Sequence, residues 1–417
     1  MSLIRTSFLN GVASIVRVAV AMGLNKVIAV YVGPSGYALI GQLSNMLNIA
    51  ITLGGGAIST GVTKFTAQYF DNQFDQREIW RTAFKFIFVS SIFTARLLCL
   101  YSRFLSETLM GDLGYRYVFY LLAIGLPLTA FNSLVLSILN GKKEANLYVL
   151  QNILSLLIGA LVSAVLAINF GLFGALVALI LNQSLILFVT LWVCRKCSWM
   201  KLESFFGKVS SNFTGPIAQF ALMSLIGALV APLSQMMVRE HIVQSFGGIA
   251  AGEWQGVFKI SEIYLMLFTS TLGIYYLPRI AEIRSIADLR IEILKVYKFL
   301  LPASIVSASI IYFLRSYIVS ILFSKEFIGM TDLFTWQLIG DVIKIGSWVL
   351  GFIMIGRGMT GWFIFTELLF SSSWVLISIF LSRIFGLQGI FIGFAINYSL
   401  YWIFMAWLMK YKLVETV

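Results

Sequence analysis

The chain has 417 residues, of which 59% are hydrophobic and 12% charged. A soluble domain is about 45–50% apolar and about 25% charged, so this composition cannot coat a water-soluble globule and excludes an ordinary soluble enzyme. A mean hydropathy of +0.91 and a net charge of +12 describe an all-α polytopic membrane protein whose Lys and Arg gather in the loops of one face, with no nucleic-acid partner.

Apolar runs long enough for the roughly 20-residue crossing of a hydrocarbon core recur almost end to end. In the first half they predict spans near 8–31, 36–60, 82–101, 115–140, 146–169 and 171–193; in the second, near 214–238, 252–277, 294–314, 330–356, 361–382 and 387–409. The residues Met1 to Arg5 lead into the first span with no small-residue cleavage site, so no removable signal peptide is expected. Outer loops at 102–114 and 239–251 are too short for a soluble domain, nucleotide-binding or other. Between the halves, Trp199, Leu202, Phe205, Phe206 and Val209 fall at helical spacing opposite Lys201 and Lys208, the pattern of an amphipathic helix lying on a leaflet. The expected organisation is an N-terminal six-helix lobe (1–197), this cytoplasmic linker helix (198–212) and a C-terminal six-helix lobe (213–417).

Orientation follows from the cations. With the N-terminus inside, nineteen of the 30 Lys and Arg fall on the cytoplasmic side and six, including Arg239, on the outer side; five lie within spans. Such a bias places both termini in the cytoplasm.

The chain also repeats itself. Residues 170–185, FGLFGALVALILNQSL, and 385–400, FGLQGIFIGFAINYSL, agree at seven of sixteen positions. The same offset of 215 pairs Ile124-Gly125 with Ile339-Gly340, and Gly141-Lys142 with Gly356-Arg357. Six spans per half is an even number, so the halves run parallel and are expected to be related by a pseudo-two-fold along the membrane normal, around a central cavity.

Ionisable groups inside a span cost several kcal/mol when they face lipid, about 2.5–3.5 on the lowest scale, and so face a bundle interior or a wet cavity. Span one carries Arg17 and Lys26; span eight, Lys259 and Glu262; span ten, Asp341 and Lys344; span eleven, Glu367. Span two offers Gln42, Asn45 and Asn48, the last two at a spacing that puts them on one helical face. Two readings stay open. Lys259/Glu262 and Asp341/Lys344 are each three residues apart and able to neutralise one another locally, while Arg17 and Lys26 snorkel to opposite interfaces. Alternatively all of them line a substrate cavity, whose surplus cations await an anion such as a pyrophosphate headgroup; organic cations would prefer the opposite sign.

Enzyme chemistry has little to work with. There is one histidine, His241, no HExxH, no phosphate-binding loop and no Ser-His-Asp set. Cys194 and Cys197 form a CxxC without a surrounding βαβ pattern, so it reads as structural rather than redox. Neither a metal nor another cofactor is expected.

Several segments carry a resemblance. These are AVYVGPSGYAL at Ala29–Leu39, GVTKFTAQY at Gly61–Tyr69, WQGVFKISEIYL at Trp254–Leu265, YLPRI at Tyr276–Ile280 and, most specific, DLFTWQLIGDVIK at Asp332–Lys344. With twelve spans in two halves, the chain resembles Wzx-type flippases of the multidrug/oligosaccharidyl-lipid/polysaccharide exporter superfamily, most of all O-antigen and lipid III flippases. The resemblance implies transport of an undecaprenyl-pyrophosphate-linked oligosaccharide from the cytoplasmic to the periplasmic leaflet of the inner membrane by alternating access. It implies that Arg17 and Lys26 meet the pyrophosphate, that polar groups on spans two, eight and ten line the glycan's path, and that Glu262, Asp341 or Glu367 could couple transport to a proton or cation gradient. Companion proteins would be an O-antigen polymerase and a chain-length regulator. Divergence in spans three to six and nine favours the O-antigen unit of lipopolysaccharide biosynthesis as cargo, with lipid III as the alternative, another lipid-linked glycan behind it and drug export last.

Overall fold

The computed structural model describes residues 3–207, 211–283 and 285–415; the side chains of 3–17, 145, 202, 211–212, 216–223, 274, 278, 281 and 412–415 are outside the description. The described chain is helical almost throughout, with no strand.

Three of its helices are too long to be single spans. Leu3–Leu53, 51 residues, would run about 75 Å if straight, more than twice the roughly 30 Å hydrocarbon core. It is broken at Gly33 (φ 72°, ψ 176°), immediately before Pro34. Glycine carries the left-handed φ without a Cβ penalty, and proline lacks the N–H that would continue the ladder. Ala145–Cys194 breaks at Gly171 and Ser211–Thr271 at Gly247, each a left-handed glycine with no proline after it. These three supply two spans each. Gln73–Leu100, Arg116–Gly141, Ile286–Leu322, Phe334–Gly356, Thr360–Phe385 and Gln388–Glu415 supply one each, so the twelve-span, all-α reading of the sequence holds.

The chain forms two compact units, Met1–Val32 with Leu39–Pro232, and Gly33–Ala38 with Leu233–Val417. In the first, Gln73–Leu100 and Ala145–Cys194 both pack on Arg116–Gly141, whose Leu134, Val135, Ile138 and Leu139 are fully buried. In the second, Phe334–Gly356 packs on Gln388–Glu415 and Ile286–Leu322. Gly33–Ala38 belongs to this second unit, with the Tyr37 ring set edge-on to Phe323 and Phe327 at 5.8 and 5.7 Å.

The repeat read from the sequence is a repeat of backbone. Gly171 and Gly386, 215 apart, have φ of 56° and 62° at equivalent helix ends. A Cβ on Gly174 would lie 2.0 Å from the Leu166 carbonyl oxygen, and one on Gly389 2.2 Å from that of Leu381. The Gly174/Gly389 identity at this offset therefore marks a place where two helix ends meet too closely for a side chain.

The linker differs from expectation. Among described residues, 198–207 carries only a 3-10 turn at Leu202–Ser204, and 208–210 lie outside the described residues. Trp199 and Phe205 are buried in the core of the first unit, edge-on to Trp80 and Phe131, while the Arg81 guanidinium donates to the Glu203 carbonyl at 2.7 Å. Two of the apolar residues that looked lipid-facing, Trp199 and Phe205, cap a protein core instead, while Phe206 is exposed. Segment 102–114 likewise holds a short helix, Ser102–Met110, rather than a loop.

Candidate functional site

The second unit concentrates charge in its interior. Asp341, on Phe334–Gly356, is fully buried. Its Oδ2 accepts from Ser261 Oγ at 2.6 Å and Tyr264 OH at 2.8 Å, and its Oδ1 from Gln337 Nε2 at 2.9 Å. Gln337 lies four residues before Asp341 on the same helix, and Ser261 and Tyr264 lie three apart on another. Helical spacing therefore turns all three donors to one point. Hydrogen bonds to a charged acceptor contribute about 1.5–3 kcal/mol each, and Lys344 is within electrostatic reach of the carboxylate without forming an ion pair with it.

Lys344 lies one turn further on. Its Nζ sits 4.9 Å from the Trp348 ring centroid, 5.3 Å from Phe394 and 4.9 Å from Tyr398. Trp348 follows it by four residues, and Phe394 and Tyr398 are four apart on Gln388–Glu415. Gly340 admits the aromatic wall, since a Cβ there would meet Phe394 at 2.5 Å. A cation held against ring faces gains about 0.5–2 kcal/mol per ring.

Of the two locally paired sets the spacing suggested, one forms. Lys259 and Glu262 are bridged at 2.9 Å, each side chain 45% exposed, where an ion pair contributes about 0–1 kcal/mol. Asp341 and Lys344 form no such bridge; the helix points them to different partners. Glu262 is within electrostatic reach of Lys344, Tyr37 and Arg239, and Glu367, half-buried, of Lys344 and Tyr401.

Arg239 is the residue the sequence misplaced. Counted among the outer loops, it is 2% exposed inside the second unit, because the helix beginning at Ser211 runs on to Gly247. Its Nη2 donates to Gln255 Oε1 at 2.5 Å, and its guanidinium stacks 5.3 Å from the Trp254 centroid. Phe246-Gly247-Gly248 was the available signal: the turn belongs there, and Arg239 two helical turns earlier belongs to the span. Three cations, Arg239, Lys259 and Lys344, thus share the second unit with the carboxylates Glu262, Asp341 and Glu367.

In the first unit, Gln42 and Asn45 are buried, and Asn45 Nδ2 has no hydrogen-bond partner among the described residues. Asn48 is exposed, so Asn45 and Asn48 do not share the buried face their spacing suggested; three residues leave them about 60° apart around the helix. Lys26 is half-buried and engaged by a neighbour. The side chain of Arg17 lies outside the described residues. Equivalent positions at the 215 offset carry Leu126 for Asp341, Thr129 for Lys344 and Asn152 for Glu367, so the charged cluster is built into one half only.

The CxxC is part of a structural contact. Cys197 donates to Glu144 Oε2 at 3.4 Å, and Trp199 Nε1 to Glu144 Oε1 at 3.0 Å. Burial, first, and the Glu144 carboxylate, second, push the Cys197 thiol up to about 12, far from the thiolate chemistry of a redox motif. Among the described residues, no group of three His, Cys, Asp or Glu is placed to hold a metal ion.

No protein-family model matches the chain. It is 29% identical over 367 residues to the lipid III flippases of Escherichia coli (strain K12) and Shigella flexneri, covering 88% of this chain and 88% of each relative. Among solved structures, an inward-facing multidrug resistance MATE family transporter of the MOP superfamily matches 97% of the chain at a TM-score of 0.76 and 16% identity, covering 99% of that structure. A MOP superfamily transporter from Pyrococcus furiosus matches 98% of the chain at 0.66 and 14%, covering 95% of that structure. At such identities the structures speak for the fold, and the flippases for the sequence. The chain thus has the fold of the MATE transporters, carries several helices long and apolar enough to cross a membrane, and is similar in sequence to lipid III flippases, in line with the resemblance read from its segments.

Proposed function

We propose that the chain is a flippase that moves a lipid-linked oligosaccharide between the leaflets of the bacterial inner membrane by alternating access, and that lipid III is its first candidate cargo. The observation that carries this reading is the similarity to lipid III flippases over 88% of both chains, which inverts the order of cargoes suggested by the sequence, where the O-antigen unit stood first. A mixed-sign interior suits such a cargo. Arg239 and Lys344 offer donors to an acidic headgroup, and the hydroxyl-rich glycan finds hydrogen-bonding partners in Glu262 and Glu367 and an aromatic wall in Trp348 and Tyr398. Transport runs from cytoplasmic to periplasmic leaflet with both termini inside. The cation count supports that orientation of the termini, and moving Arg239 into the membrane interior leaves only five Lys and Arg on the outer side against nineteen.

Deleting the gene in its host, in a background without a compensating flippase, tests the reading. The outcome expected is loss of common antigen on immunoblot with an intact O-antigen ladder on a lipopolysaccharide gel. Loss of the ladder alone returns the O-antigen unit, and with it the polymerase and chain-length regulator as partners. Survival of both overturns the glycan reading.

A further inference from the structure

We propose that the turn 141–144 of the first unit, with Lys142 and Lys143 set around the exposed ring of Phe70, is a binding site for the phosphate of a membrane lipid. The two halves of the chain build this turn twice. The Lys142 N–H caps its helix on the Ile138 carbonyl at 2.8 Å, and the Arg357 N–H, 215 residues on, caps its own on Ile353 at 2.9 Å. The next residue is left-handed in both, Lys143 at φ 58° and Gly358 at 67°. The one after that has nearly the same backbone again, Glu144 at φ −82°, ψ 58° and Met359 at φ −77°, ψ 58°.

One backbone therefore carries two chemistries. In the second unit the cation is consumed internally, with Arg357 Nη2 on the Ile283 carbonyl at 2.6 Å, and the left-handed position is glycine, as that conformation favours. In the first, the left-handed position is a lysine, the only positive-φ non-glycine residue among those described. A side chain held in that region is strained, and glycine in the sister turn shows that the fold does not require one.

The lysines are also aimed. Gln76, buried, donates through Nε2 to the Thr66 and Phe70 carbonyls, which leaves its Oε1 to accept from Lys142 Nζ at 3.0 Å. Lys142 Nζ and Lys143 Nζ lie 5.5 and 5.4 Å from the Phe70 centroid. Neither forms an ion pair among the described residues. The neighbouring carboxylates are otherwise placed: Glu144 accepts from Trp199 and Cys197, Asp75 from Asn72, and Asp71 is exposed. Two ammoniums beside an exposed aromatic ring, at the end of two spans, match a phosphate whose alkyl chain continues into the bilayer. A bilayer phospholipid and a polyprenyl pyrophosphate both present that chemistry.

The test uses the full-length protein in detergent, titrated with phosphatidylglycerol, phosphatidylcholine and a polyprenyl pyrophosphate and read by native mass spectrometry, with thermal unfolding in parallel. Lys143→Gly is expected to unfold at or above the wild-type temperature yet bind the anionic lipids about fivefold more weakly, the equivalent of one surface lysine. Adding Lys142→Gln deepens the loss to roughly twenty-five-fold. Lys143→Asn, which tolerates the left-handed backbone, is expected to match the glycine variant and stands in if that one is unstable. Weakening toward both anionic probes assigns the site to lipid phosphate in general; weakening toward the pyrophosphate alone assigns it to the cargo. Wild-type affinities in the double variant, or a lower unfolding temperature with unchanged binding, overturn the proposal. These ratios do not depend on flipping, so failure of the flippase reading leaves them readable.

Discussion

Asp341 and Lys344 stand one helical turn apart and within electrostatic reach of one another, yet each takes its close contacts from different neighbours, the carboxylate from three neutral donors and the ammonium from Trp348, Phe394 and Tyr398. Neither is locked to the other. Lys344, half-buried, is left available to a ligand without a closed bridge having to be broken first, while Asp341 stays fully buried on its three donors.

This separation makes Asp341 sensitive to truncation more than to neutralisation. Asp341→Ala leaves the Ser261, Tyr264 and Gln337 donors facing a void, and the expected loss of stability is about 3 kcal/mol, the sum of several buried donors each costing about 1–3 kcal/mol less partial relaxation. Asp341→Asn keeps the shape and an acceptor, and removing a buried charge offsets the weaker bonds, so stability within about 1 kcal/mol of wild type is expected. Thermal unfolding in detergent separates the two, and surface glycan display then reports whether Asn supports transport. An Ala variant as stable as wild type would refute the bonding pattern.

Arg239 provides a second test. Arg239→Ala strands Gln255 and removes the cation facing Glu262, with an expected loss of about 3–5 kcal/mol, the range for breaking a buried charged contact. Arg239→Lys keeps the charge but not the planar stack on Trp254, and should recover only part of it. Equal stability of all three proteins would return Arg239 to the outer surface.

Accessibility gives the topological version of the same claim. In a cysteine-free background, a cysteine at Ser245 is expected to react with a membrane-impermeant maleimide added to whole cells, and one at Arg239 to resist it. A reporter fused after Lys201 should read cytoplasmic. Labelling at both positions, or a periplasmic signal after Lys201, would contradict the helix boundary at Gly247 or the orientation.

Cys197 carries the pH prediction. A thiol pushed up to about 12 stays protonated at neutral pH, so alkylation by iodoacetamide should be slow at pH 8 and accelerate toward pH 12. Because the folded protein holds this proton more tightly than the unfolded chain, the associated stability is full below the unfolded pKa of about 8.5 and is lost as pH rises through the folded value. Glu144→Gln removes the neighbouring charge and should raise the alkylation rate at pH 8; an unchanged rate would show that burial alone sets the thiol.

Composition and hydropathy determined the class of this protein and its twelve spans, and residue identities at a fixed offset its internal repeat, because exclusion from water and backbone geometry at glycines are local properties written residue by residue. The spacing of Lys259 and Glu262 was equally legible, since one helical turn decides it. Other features needed tertiary structure. Ser261 meets Asp341 across 80 residues, and Lys344 meets Phe394 and Tyr398 from another span; no periodicity along one helix reveals which face another helix presents. The linker misled for the same reason, since an apolar stripe is the same pattern whether lipid or a protein core receives it, and Trp199 and Phe205 found a core. Arg239 was hidden by a helix that ran two turns past its expected end, and only packing decided that its charge lies inside.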